Sequence, residues 1–155
     1  MKRRTPMSQM ASSRYQRSSM EMVFQLATIP LFADLTTEQL VPVASVSRRA
    51  SAAAGEVICE QGDMGDQLYL ILEGEVEVTR DGKRLAVLRT GDCFGEMAIL
   101  DDSPRSATVR ALDEVALIAT ARADFRDLLQ LYPGLARGII AVLVERLRRT
   151  KPSWL

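Results

Sequence analysis

The sequence predicts a mainly β domain with flanking helices. Seven of the nine glycines fall between positions 55 and 95, short apolar or alternating runs lie between them, and helical periodicity is confined to either side of this region. Glycines three to nine residues apart punctuate a turn-rich antiparallel sheet. At least seven short strands in about 70 residues describe a sandwich or a jelly-roll barrel.

Met1 to Met20 carries five basic residues (Lys2, Arg3, Arg4, Arg14, Arg17) and no acid, and reads as a disordered basic tail over 1–20. It lacks the apolar stretch of a secretory signal. Glu21 to Ile29 reads as a short helix with Met22, Val23, Leu26 and Ala27 on one stripe, stopped by Pro30. Thr36 is a good N-cap for a second short helix, Thr37 to Val41, and Leu31, Phe32 and Leu35 before it are apolar enough to pin the segment to a core.

Val57-Ile58-Cys59, Gln67 to Leu72 and Glu75 to Thr79 follow as strands, the last alternating Val76 and Val78 against Glu75 and Glu77. Arg80-Asp81-Gly82-Lys83 reads as a hairpin turn, because Asp-Gly supplies the positive φ that tight turns demand, leading into the strand Leu85 to Leu88. Ala107 to Leu112 and Val115 to Ala119 close the set. Helical period then returns. Phe125, Leu128, Leu129 and Tyr132 share one face, and Pro133 opens a last helix that runs from Leu135 to about Thr150. Its end collects Arg146, Arg148, Arg149 and Lys151, which suits the helix dipole. The expectation is one domain over 21–150, with 151–155 as a second tail.

Composition narrows the function. The chain has 155 residues, enough for one core, and balances 20 basic against 20 acidic side chains. Outside the first twenty residues the balance is 15 to 20, so the folded part is mildly acidic and gives no electrostatic reason to expect a nucleic-acid face. Histidine is absent, which removes Ser-His-Asp and Cys-His catalysis, His-based zinc or iron sites and His-ligated haem. Two cysteines, Cys59 and Cys93, form no Cys-x-x-Cys pair and read as small buried hydrophobes of a reduced, cytoplasmic protein. Asp63 and Asp66 are turn formers without the further oxygen ligands that calcium requires, so no metal is expected. No apolar run approaches the roughly 20 residues of a membrane span.

The segment that carries chemistry is Gly91 to Arg110. It joins a glycine that lets a backbone come close, a short apolar helical turn from Glu96 to Leu100, an acidic turn ending in Pro104, and Arg105 leading into a strand. N–H groups opening that turn and the forked guanidinium of Arg105 together describe a pocket for one phosphate.

Phe94-Gly95-Glu96-Met97-Ala98-Ile99-Leu100 followed by Pro104-Arg105-Ser106-Ala107-Thr108-Val109 resembles the phosphate-binding cassette of the cyclic nucleotide-binding domain family. The similarity extends over roughly Phe24 to Arg149. It implies an eight-stranded jelly-roll barrel (a double-stranded β-helix) with short N-terminal helices, two C-terminal helices, and a ligand between the barrel and the last helix. Arg48-Arg49-Ala50-Ser51 has the spacing of a basophilic kinase substrate, but the resemblance places the first barrel strand there. It further implies that Arg105 neutralises the cyclic phosphate, that Glu96 accepts the ribose 2′-OH, and that backbone N–H groups near Gly95, Glu96, Met97 and Ala98 and at Ser106 and Ala107 complete the phosphate site. Arg146 matches an arginine that approaches the glutamate, and Thr150 a threonine that contacts adenine.

The expected function is a non-catalytic sensor that takes cAMP in preference to cGMP, without a cofactor, and whose C-terminal helix is repositioned by ligand about a hinge near Tyr132 to Gly134. The competing expectation is a fixed core helix with a solvated basic end. Expected partners are the nucleotide, an effector protein or domain, and a second copy through the C-terminal helix. No nucleic acid is expected of this chain alone, since a helix-turn-helix does not fit in the five residues after Thr150. The alternative is an interaction domain of the same fold that has lost nucleotide binding. A cupin-type enzyme is excluded because its site rests on histidine ligands.

Overall fold

A computed structural model describes residues 20–149. Helix α1 (20–27) leads through a 3₁₀ turn, Pro30–Phe32, to α2 (Thr37–Ser45). Eight strands follow: β1 (Ser47–Ala52), β2 (Val57–Cys59), β3 (Gln67–Glu73), β4 (Val76–Arg80), β5 (Lys83–Leu88), β6 (Cys93–Phe94), β7 (Thr108–Ala111) and β8 (Val115–Ala121). Helix α3 (Glu96–Leu100) interrupts the strands after β6, and α4 (Arg122–Leu131) and α5 (Pro133–Arg149) end the described chain.

The strands form two antiparallel four-stranded sheets, ordered β1-β8-β3-β6 and β2-β7-β4-β5, which is the expected jelly roll. Ala52, Ile71, Val76, Val109, Val115 and Leu117 fill the space between the sheets. Leu68, Leu70 and Ile118 point the other way, into a second core with Leu26, Phe32, Leu40, Phe125, Leu135 and Ile139 of the helical side. The first sheet is therefore covered on both faces. That explains why β3 and β8 read as near-continuous apolar runs, whereas a sheet with one solvated face alternates.

Local signals act as expected at several points. Thr36 and Gln39 exchange side-chain and backbone bonds in a full capping box at the start of α2. Asp81 (φ 52) and Gly82 (φ 77) both lie in the left-handed region, as the β4–β5 hairpin turn requires. Arg48 and Arg49 are inside β1, paired with β8. Helix α2 departs from expectation. It continues through Pro42 to Ser45, forfeiting the bond to the Glu38 carbonyl, because Val43 and Ala44 are buried in the helical core.

The first half of α5 is packed tightly against the 3₁₀ turn. A Cβ on Gly138 would overlap the Leu31 carbonyl oxygen, so helix and 3₁₀ turn touch backbone to side-chain-free backbone. At Tyr132 the chain turns by 114° between α4 and α5, and among the described residues no single helix is long and apolar enough to cross a membrane.

Candidate functional site

Strand β6 ends on Phe94, whose ring stacks on Tyr69 of β3 with centroids 5.1 Å apart. Gly95 follows in the left-handed region (φ 90) and reverses the chain into α3. Ile99, fully buried in the helical core, anchors α3 from below. This puts Glu96, the first residue of α3, inside the protein at 4% exposure.

The acidic turn after α3 is held away from Arg105. Asp102 pairs with Arg122 and Arg126 of α4, each at 3.2 Å, and Arg126 Nε donates to the Ile99 carbonyl at 2.8 Å. Asp102 is thus engaged by α4 and forms no ion pair with Arg105.

Arg105 is instead seated by the turn between β2 and β3. Its N–H donates to the Asp63 carbonyl (2.7 Å), and its own carbonyl accepts from the Gly62 N–H (2.9 Å). The Asp63 N–H donates to the Glu60 carbonyl at 3.1 Å, closing a turn there. The guanidinium lies between two glycines. A Cβ on Gly65 would overlap Nε, and one on Gly95 would come to 2.5 Å from Nη1 and 2.6 Å from the Gln67 carbonyl oxygen. Nη2 donates to that same carbonyl at 2.8 Å, while Nη1 is buried with no hydrogen-bond partner among the described residues. A buried guanidinium nitrogen lacking an acceptor costs stability unless something anionic arrives to satisfy it.

Arg105 lines a cavity of about 460 Å³. Val78, Leu85, Ala86, Leu88, Met97 and Val109 give it an apolar wall, and Glu96, Arg105 and Arg146 give it a polar end. Arg146 of α5 is salt-bridged to Glu96 and also donates to the Cys93 carbonyl oxygen. Burial works to lower the Arg146 pKa, but the charge of Glu96 and its hydrogen bond outweigh that and hold the guanidinium above its ordinary value. Cys93, beneath this pair, has its thiol pushed up to about 12 by burial, against the pull of Arg146. Cys59 lines the cavity, and burial raises its pKa as well, with Arg105 opposing. Neither cysteine is disulfide-bonded, and a protonated thiol is a poor nucleophile. The arrangement suits binding of a small amphipathic anion that carries a hydroxyl.

Gly95, Glu96, Met97, Arg105, Ser106, Ala107 and Arg146 all line this one cavity. Ala98 is the third residue of α3. Thr150 lies outside the described residues, so its expected partnership with Arg146 is not described. Sequence reasoning missed Gly65 and Gln67, which seat the guanidinium, and Arg80, which lines the cavity and donates to the Ser106 carbonyl at 2.9 Å. Only Gly65 carried a signal, as a glycine in a segment already read as a turn. Among the described residues no cluster of Cys, Asp or Glu could hold a metal ion.

Comparison with known proteins bears on the family and the fold. The family model described as cyclic nucleotide-binding domain matches residues 49–132. A cyclic nucleotide-gated potassium channel of Rhizobium etli is 38% identical over 121 residues, covering 78% of this chain and 34% of the channel. The regulatory subunit of cAMP-dependent protein kinase from Emericella nidulans is 39% identical over 119 residues, covering 76% of this chain and 29% of the subunit. The chain thus spans about a third of either relative. Among solved structures, the Thermus thermophilus catabolite activator protein superposes with a TM-score of 0.71 at 36% identity, covering 78% of this chain and 59% of that one.

Proposed function

The chain belongs to the cyclic nucleotide-binding domain family, and we propose that its cavity is the sensor site for a 3′,5′-cyclic nucleotide, cAMP in preference to cGMP. The observation that carries the reading is that Arg105, whose Nη1 is buried with no hydrogen-bond partner among the described residues, and the buried Glu96 line one cavity. A cyclic phosphate bears one negative charge, which Arg105 neutralises with a charge-assisted bond. Both the 3′ and 5′ oxygens are spent in the ring, so the 2′-OH is the free sugar donor, and Glu96 accepts it. Backbone N–H groups at Gly95, Glu96, Met97, Ala98, Ser106 and Ala107 complete the phosphate cradle, and the base lies along the apolar wall. Ser106 follows the arginine where cassettes of this family that prefer cGMP often carry Thr, which favours cAMP in our reading, and the resemblance assigns Thr150 to adenine.

The module performs no catalysis. Ligand acts on α5, whose two halves differ: Leu135, Gly138 and Ile139 are buried against the 3₁₀ turn, while beyond them the helix is more exposed and meets the cassette through Arg146. Closure about Tyr132 to Gly134 therefore carries the Pro30–Phe32 turn with it. A ligand shifts such an equilibrium only by its difference in affinity between open and closed states, and contacts to the base made only on closure supply that difference. An effector protein or domain reads the position of α5, and a second copy docks along that helix. Two free, buried thiols fit a reducing, cytoplasmic setting. Isothermal titration with cAMP and cGMP tests the reading, and no heat with either returns the chain to the alternative, an interaction domain of this fold without nucleotide binding.

A further inference from the structure

Four arginines line the cavity: Arg80, Arg105, Arg146 and Arg149. Arg146 has Glu96 as its carboxylate, and Arg149 has Glu145. Arg80 and Arg105 have no carboxylate partner among the described residues. The nucleotide reading gives Arg105 its anion and leaves Arg80 without one. Arg80 is instead engaged with the backbone, through the bond from its Nε to the Ser106 carbonyl.

The peptide that joins Ser106 to Ala107 is planar and trans, so its carbonyl and its N–H point in opposite directions. Holding the carbonyl therefore fixes where the Ala107 N–H points. That N–H meets no hydrogen-bond acceptor among the described residues, although β7 begins at the next position and pairs on both sides. Arg80 itself is fixed by its place at the end of β4, paired with Lys83 across the Asp81-Gly82 turn.

We propose that Arg80 is a positioning residue for the anion site: from the β4–β5 hairpin its Nε–H bond locks the orientation of the Ser106–Ala107 peptide so that the Ala107 N–H is presented to the ligand phosphate. The inference rests on the nucleotide reading above. It ties a second structural unit, the hairpin, to a cassette whose other donors all come from β6, α3 and the Arg105 loop.

Isothermal titration of cAMP into wild type, Arg105→Ala, Arg80→Met and Arg80→Gln tests it. Gln places its Nε2 as many bonds from Cβ as the arginine Nε, so it keeps the donor and drops the charge, while Met keeps the stem and drops both. The expected result is binding weakened about tenfold in Arg80→Met and within about threefold of wild type in Arg80→Gln. The Ala107 amide proton should move downfield on cAMP addition in wild type and Arg80→Gln, and much less in Arg80→Met. Wild-type affinity in Arg80→Met overturns the proposal, as does Arg80→Gln binding as weakly as Arg80→Met, since charge alone would then be acting. If Arg80→Met fails to fold, Arg80→Gln and its Ala107 resonance decide. Wild type giving no heat with any cyclic nucleotide removes the nucleotide reading itself, which is a different failure.

Discussion

Arg146, near the end of α5, is salt-bridged to Glu96, the buried first residue of α3, across 50 positions of sequence. The pair is the polar latch between the last helix and the cassette. Removing Arg146 leaves the Glu96 carboxylate in place with its cation gone. A fully buried pair broken this way costs roughly 3–5 kcal/mol, and the 29% exposure of Arg146 brings the expectation down to about 2 kcal/mol. Arg146→Ala should lower the unfolding midpoint and also lose hydrogen-exchange protection in the second half of α5 while 135–139 stay protected. In wild type, cAMP should raise protection in both the cassette and residues 135–150, and protection confined to the cassette would mean that α5 is no lid.

Gly65→Ala should cost ligand affinity with little effect on stability. The backbone there needs no positive φ, so alanine is tolerated locally, but its Cβ would occupy the space of Arg105 Nε. Displacing the guanidinium should weaken cAMP binding about tenfold or more. A titration showing unchanged affinity would mean that Arg105 does not bind from the position described here.

Stability should fall at alkaline pH, with Cys93 as a main cause. Its thiol titrates near 9.0 when unfolded and is held up to about 12 by burial in the fold. Between those values the unfolded chain has released a proton that the folded chain still binds, so stability is fully present below pH 9 and is lost as pH rises toward 12. Cys59 is shifted in the same direction. Unfolding midpoints measured from pH 7 to 11 should drop more steeply in wild type than in Cys93→Ala, and parallel curves would contradict the assignment.

Much of this site is readable in the sequence because its information is local. Asp81-Gly82 encodes a turn by backbone conformation alone, and the run from Phe94 to Leu100 carries the glycine, carboxylate and apolar anchor of the cassette in consecutive positions. What stayed hidden depends on contacts between distant segments. The seat of Arg105 is built from Gly65 and the Gln67 carbonyl, and a backbone carbonyl leaves no trace in residue identity. Arg80 reads as the flank of a hairpin, and only the fold brings it to Ser106. Strand β6 is two residues long, too short for any periodicity, and Pro42 signals a helix end that burial of Val43 overrides.

Base preference should favour adenine. Competition against bound cAMP should require more cGMP than unlabelled cAMP for half displacement, and Ser106→Thr should narrow the gap. Displacement by cGMP at the lower concentration would reverse the preference.

The most direct measurement concerns the unpartnered nitrogen of Arg105. Isothermal titration of cAMP should give one site per chain in wild type. Arg105→Ala should bind about 30-fold more weakly or worse, at the low end of what truncating a buried charged partner costs. Arg105→Lys should also bind poorly, because an ammonium keeps the charge but lacks the planar fork that offers separate nitrogens to the Gln67 carbonyl and a ligand oxygen. Wild-type affinity in Arg105→Ala would contradict the assignment of this cavity as the nucleotide site.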